Sequence, residues 1–146
     1  MIDMFGKFVF LEKAPLIVKT QKIDLCQQIS DIAQSLNLKI KLECTYRPML
    51  EVNLDLLKIL LTNILTNAQK YSLGDVLVKV DKSEVVFVNP SNPIKNINKL
   101  SDKFYKESPK WMGIGLYLVK KITDLLDWKL SFDYQNNKFE LKIKWN

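Results

Sequence analysis

Apolar positions recur in two periods along this chain, and the changes between them predict most of its elements. Ile2, Phe5, Phe8 and Leu11 fall at helical spacing, so the first dozen residues read as an amphipathic helix that ends before Pro15. Asp24 is placed to cap a helix from about Leu25 to Ser35. Lys39 to Tyr46 alternates as a strand does, with Ile40, Leu42 and Cys44 on one side. A long apolar helix is predicted from about Leu54 to Tyr71, then two strands, Val76 to Val80 and Val85 to Val88, around a tight turn at Asp81-Lys82-Ser83. Pro90, Asn92 and Pro93 open an irregular stretch that runs to about Met112. Helical spacing returns from Ile114 to Leu126, with Leu116, Val119 and Ile122 inward. Finally, Trp128 to Tyr134 and Phe139 to Trp145 alternate around Gln135-Asn136-Asn137, a hairpin signal. This order predicts an α+β fold: a two-layer sandwich in which helices lie on a mixed sheet.

The long helix carries the first candidate chemistry. On a wheel of about 100° per residue, Leu57, Leu61, Ile64, Leu65 and Ala68 share one face. Asn63, Asn67 and Lys70 then share one edge within roughly 60°, with Tyr71 close by. Amide oxygens are able to ligate Mg²⁺ and a lysine is a point charge for phosphate, so the stripe suits a metal-bound polyphosphate. A solvated helix flank has the same composition. Gly113-Ile114-Gly115-Leu116 supplies a second candidate, two glycines directly before an apolar helix. Glycine lets backbone approach a ligand, and the free N–H groups of a helix start attract phosphate.

Together, in this order, the segments resemble the ATP-binding catalytic domain of sensor histidine kinases, in the GHKL or Bergerat-fold superfamily. Asn63 to Ser72 is similar to the family's N box, and Gly113 to Lys121 to its second glycine box. Between them, Leu100 to Lys106 resembles the short aromatic F box, and upstream Lys22 to Leu25 resembles the first strand of the domain. The resemblance covers about residues 20 to 146, with 14–19 as a linker. Residues 1–13 resemble the end of a dimerisation helix, which implies a piece of a longer kinase.

The resemblance implies a mixed sheet covered on one face by helices, with ATP and Mg²⁺ as cofactors. Asn67 would ligate Mg²⁺ with Asn63 assisting, Lys70 would contact phosphate, and Tyr71 would pack near the adenine or ribose. Gly113, Ile114, Gly115 and Leu116 would close over the triphosphate, and Phe104 and Tyr105 would cover it. In related hydrolases a glutamate stands where Asn63 does and activates water. An amide is no general base at neutral pH, so Asn63 and Lys70 would serve phosphoryl transfer and not hydrolysis. The chain has no histidine. The implied reaction is therefore transfer of the γ-phosphoryl group to a histidine outside it, on the dimerisation domain, with a response regulator downstream. A homodimer is expected only of the full-length protein, in the cytoplasm, with inner-membrane anchoring of the parent left open.

Two departures from the family pattern bear on this. The first glycine box carries an aspartate that accepts from the adenine amino group. The matching stretch here is Asn89-Pro90-Ser91-Asn92-Pro93-Ile94, with Asn89 as a neutral acceptor and Ile94 beside the base. The lid is also short, because only Glu107 to Met112 separate the F box from Gly113. A degenerate scaffold that binds ATP weakly is thus an alternative, and a stand-alone serine kinase or anti-sigma-type regulator of the same superfamily is another.

Composition adds limits. With 146 residues and 47% hydrophobic content, the chain buries a core without staples. No segment reaches the roughly 20 apolar residues of a membrane span. Cys26 and Cys44 match no metal or redox spacing and read as small buried apolar side chains in a reducing compartment. The net charge is +6, and Arg47 is the sole arginine. Without clustered arginines or regularly spaced stacking aromatics, a nucleic-acid partner is not expected.

Overall fold

The computed structural model describes residues 19–102 and 115–145. The helix expected over the first dozen residues, the dimerisation remnant over 1–13, Phe104, Tyr105, Gly113 and Ile114 lie outside the described residues.

The elements run β1 (Gln21–Asp24), α1 (Leu25–Ser35), β2 (Ile40–Cys44), β3 (Met49–Val52), α2 (Leu54–Tyr71), β4 (Val76–Val80), β5 (Glu84–Pro90), a single 3₁₀ turn (Ile97–Lys99), α3 (Gly115–Leu125), β6 (Lys129–Gln135) and β7 (Lys138–Lys144). Five strands form one sheet in the order β2-β4-β5-β7-β6. β2 pairs with β4 in parallel, and the other three pairings are antiparallel. β1 and β3 make a separate antiparallel ladder. The expected mixed sheet with helices on one face is what forms.

Burial alternates along β4, β5, β6 and β7, as a sheet with one covered face requires. Val76, Val78 and Val80 of β4, Val85 and Phe87 of β5, and Phe139, Leu141 and Ile143 of β7 are all buried. The helices meet them with Leu25 and Ile29 of α1, Leu57, Leu61 and Leu65 of α2, and Leu118, Val119 and Ile122 of α3. The inward set expected for α3 is borne out.

Local chemistry fixes the ends of the helices. Asp24 and Asn53 are N-caps, accepting from the backbone N–H of Gln27 at 3.1 Å and of Leu56 at 2.9 Å. Asn37 after α1 and Asp127 after α3 take the left-handed conformation that stops a helix, at φ 54° and 59°. In the β6–β7 turn, Asn136 and Asn137 both have positive φ, the requirement of a type I′ hairpin that two asparagines meet.

Three expectations shift. β3 was not foreseen; its four residues pair only with β1, so the signal is too short to register. β5 extends through Asn89 and Pro90, because both pair with β7, opposite Phe139 and Lys138, before the chain turns irregular. The two cysteines are not independent apolar side chains. Cys26, on the inner side of α1, and Cys44, at the end of β2, are brought together as a disulfide, with Cα atoms 6.8 Å apart. Helix-on-strand packing, invisible to spacing in the chain, juxtaposes them.

Candidate nucleotide-binding site

A cavity of about 190 Å³ opens between α2 and the end of β5. Asn67 and Tyr71 line it from α2, Asn89 from β5, Leu116 from the first turn of α3, and Phe139 from β7. The segment after β5 completes it with Ser91, Ile94, Lys95 and Leu100, among others.

Each wall follows from local structure. Asn67 and Tyr71 are one turn apart, so one helix edge delivers both. Asn89 points inward because it continues the buried row Val85, Phe87, Asn89 along β5. Its cross-strand partner is Phe139, which supplies an apolar neighbour within the same row of the sheet. The carbonyl of Pro90 accepts the backbone N–H of Leu73 at 2.9 Å, fastening the end of α2 to the end of β5. Ser91 is tied to the β6–β7 hairpin twice, since its N–H donates to the Asn137 carbonyl at 3.1 Å and its carbonyl accepts from the Tyr134 hydroxyl at 3.0 Å.

Apart from Lys95, the polar side chains on the described wall are neutral: Asn67, Tyr71, Asn89, Ser91 and Asn92. Asn89 is only 5% exposed, and its Nδ2 donates to the Pro90 carbonyl at 3.2 Å. Among the described residues that line the cavity, Lys95 is the cation and none is a carboxylate. The cavity therefore combines an apolar slot, amide groups at two sides and a positive charge, which is chemistry for a purine nucleotide and its phosphates.

The expected site residues separate into three groups. Asn67, Tyr71, Asn89, Ile94 and Leu116 come together at the cavity. Gly115 is buried as the first residue of α3, beside Leu116. Asn63 and Lys70 do not line the cavity. Asn63 does not share an accessible edge with Lys70: it is 2% exposed, whereas Lys70 is exposed to solvent. The Asn63 Nδ2 donates to the Ile59 carbonyl at 2.7 Å, and its Oδ1 is buried without a partner among the described residues. The helix is covered over a wider arc than the apolar residues alone mark, and Asn63 falls inside it. Six lining residues were not among the expected site residues: Ser91, Asn92, Pro93 and Leu100 lie in the segments matched to the first glycine box and the F box, Lys95 was read only as part of a lysine-rich stretch, and Phe139 only as a strand position.

As to Mg²⁺, an ion that brings phosphate and water oxygens needs only one or two oxygens from protein. Asn67 on the cavity wall fits that demand. No cluster of three or more His, Cys, Asp or Glu suited to a metal occurs among the described residues.

No protein-family profile matches the chain. The sensor histidine protein kinase HK06 of Streptococcus pneumoniae is 27% identical over 137 residues, which is 88% of this chain and 31% of the relative. The chain thus spans about a third of the length of that curated relative. Among solved structures, the catalytic domain of the histidine kinase ThkA superposes with a TM-score of 0.76 at 17% identity, covering 87% of this chain and 95% of that one. Full-length ShkA in complex with AMPPNP gives 0.77 at 16% identity, covering 97% of this chain and 34% of that one. The alignments to HK06 and ThkA span most of this chain, and the fold is the same layered sheet, so the chain is a homologue of the sensor histidine kinases and has the fold of their catalytic domain.

Proposed function

We propose that this chain binds ATP with Mg²⁺ in the cavity between α2 and β5 and transfers the γ-phosphoryl group to a histidine on a dimerisation and phosphoacceptor domain outside it. The observation that carries the reading is the cavity itself, where Asn67 and Tyr71 face Asn89 across an apolar slot in a histidine kinase fold. That ShkA was solved with an ATP analogue supports the choice of nucleotide.

The roles follow from position. Tyr71, Ile94, Leu116 and Phe139 clasp the base and exclude water from its faces. Asn89 accepts from the exocyclic amino group at the buried end. Asn67 would hold Mg²⁺ through its amide oxygen, and the ion would supply charge neutralisation to the phosphates. The backbone around Gly115, at the cavity end of α3, and the Lys95 ammonium would hold phosphate oxygens. Among the described residues, the lining holds no carboxylate or imidazole to deprotonate water, which favours a side-chain acceptor over hydrolysis.

Equilibrium titration of the chain with AMPPNP, with and without Mg²⁺, tests the binding step. Incubation with ATP and the parent's phosphoacceptor domain tests transfer. No Mg²⁺-dependent binding would sink the proposal and leave the scaffold reading, which the neutral Asn89 in place of a carboxylate favours. The phosphoacceptor domain and, further on, a response regulator are the expected partners. No helix of the described residues is long and apolar enough to cross a membrane.

A further inference from the structure

We propose that Asn89 makes the cavity tolerant of both purine edges, so that triphosphates of a six-oxo base bind nearly as well as those of a six-amino base. The inference rests on the nucleotide reading above and concerns which base is accepted. Asn89 and Ser91 are the most buried polar groups at the cavity, 5% and 7% exposed. Those of Ser91 are already engaged: its hydroxyl donates to the Asn92 carbonyl at 3.0 Å, its N–H to Asn137 and its carbonyl accepts from Tyr134. Asn89 has capacity left. One N–H goes to the Pro90 carbonyl at 3.2 Å, and its Oδ1 and second N–H have no other hydrogen bond among the described residues.

A carboxamide presents an acceptor and a donor side by side. A six-amino purine offers a donor with a ring acceptor beside it, and a six-oxo purine offers the reverse. Turning the amide over about its last torsion exchanges its two ends, so one side chain matches either edge. A carboxylate, which only accepts, would face the six-oxo oxygen with like charge.

The Asn89–Pro90 bond opposes the turn, and two observations make that opposition small. At 3.2 Å it lies at the long end for a neutral N–H···O bond. The Pro90 carbonyl also accepts the Leu73 N–H at 2.9 Å, so it keeps a partner when the amide turns. The remaining cost is one weak neutral hydrogen bond and two oxygens brought near each other, which leaves a preference for the six-amino base of about tenfold or less. Ile94, Leu116 and Phe139 contribute apolar contact, which does not distinguish one purine from the other.

Titrating the 146-residue chain with Mg²⁺-AMPPNP and Mg²⁺-GMPPNP decides the matter. Dissociation constants within about tenfold of each other are expected. AMPPNP binding with a larger gap to GMPPNP overturns this inference and leaves the proposed function standing. Absence of binding by either overturns both. Asn89→Asp should then widen the ratio at least about tenfold, by weakening GMPPNP, because the new carboxylate repels its six-oxo group. A fall in both affinities at constant ratio would assign Asn89 a structural role only and overturn the inference. Should the variant misfold, the wild-type ratio still decides.

Discussion

Arg47 sets its Nη2 2.9 Å from Oδ2 of Asp24, while Oδ1 of the same carboxylate accepts the Gln27 N–H at 3.1 Å. One side chain thus caps α1 and joins the β2–β3 connection to the start of that helix. Partial burial raises the carboxyl's pKa, but the Gln27 N–H, the Arg47 guanidinium and the Cys26 N–H together outweigh it and hold it below the usual carboxylate range. For a carboxyl lowered on folding, the stability it contributes is complete above the unfolded value and is lost as pH falls through the folded one. The contribution should therefore persist at neutral pH and fade below about pH 4. Asp24→Asn keeps an effective cap but loses the ion pair, which is worth about 1 kcal/mol or less at this half-exposed position. Urea melts at pH 7 and pH 3 should show the two proteins converging in acid.

Asn67→Ala should abolish the Mg²⁺ dependence of nucleotide binding and leave the fold in place. The side chain is half-buried at the cavity, so its loss should shift stability by about 0.5 kcal/mol or less. Calorimetry with AMPPNP, alongside a thermal melt, separates the two effects. Equal affinity in variant and wild type would return Asn67 to an ordinary helix flank.

Leu118 is fully buried in α3, at the junction with α2. Leu118→Ala leaves a void that rigid neighbours fill only in part, costing about 2–5 kcal/mol. Chemical denaturation should show a lower midpoint at an unchanged slope. Because α3 brings Leu116 to the cavity, nucleotide binding should weaken too.

Gly74 sits where an added Cβ would lie 3.1 Å from Cγ of Pro90. A proline ring yields little, so Gly74→Ala should push on the end of β5 next to Asn89. A loss of about 1 kcal/mol in stability is expected. A larger proportional loss in AMPPNP affinity than that given by Leu73→Ala, which adds no such contact, would trace the effect to the strand end.

Since the chain contains no histidine, incubation with labelled ATP and Mg²⁺ should yield no acid-labile phosphate until the parent's phosphoacceptor domain is added. Robust labelling of the chain alone would point to another class of kinase.

Period and punctuation made most of the fold readable. Val78 and Phe87 alternate with polar or half-buried neighbours, and Asp24 marks a helix start that the structure uses. β3 stayed hidden because a short strand on a small ladder carries almost no periodic signal. At the site, Asn67 and Tyr71 were legible because one helix edge fixes both. Phe139 was not, since its place depends on register across β5 and β7, and register is a property of the closed sheet. Asn63 shows the opposite limit: a polar residue name placed it outside, whereas packing against the neighbouring layers placed it inside.

The pairing of β5 with β7 governs how the cavity comes into being. The β4–β5 and β6–β7 hairpins close short turns and are able to form locally, while their docking closes the whole stretch from Pro90 to Lys138. The cavity draws walls from α2, β5, α3 and β7, so it exists only once that docking is complete. A ligand bound there consequently shields the entire domain from unfolding, by about 2.7 kcal/mol at a hundred times its dissociation constant. Hydrogen exchange across the central sheet, far from the ligand, should slow in step with nucleotide concentration.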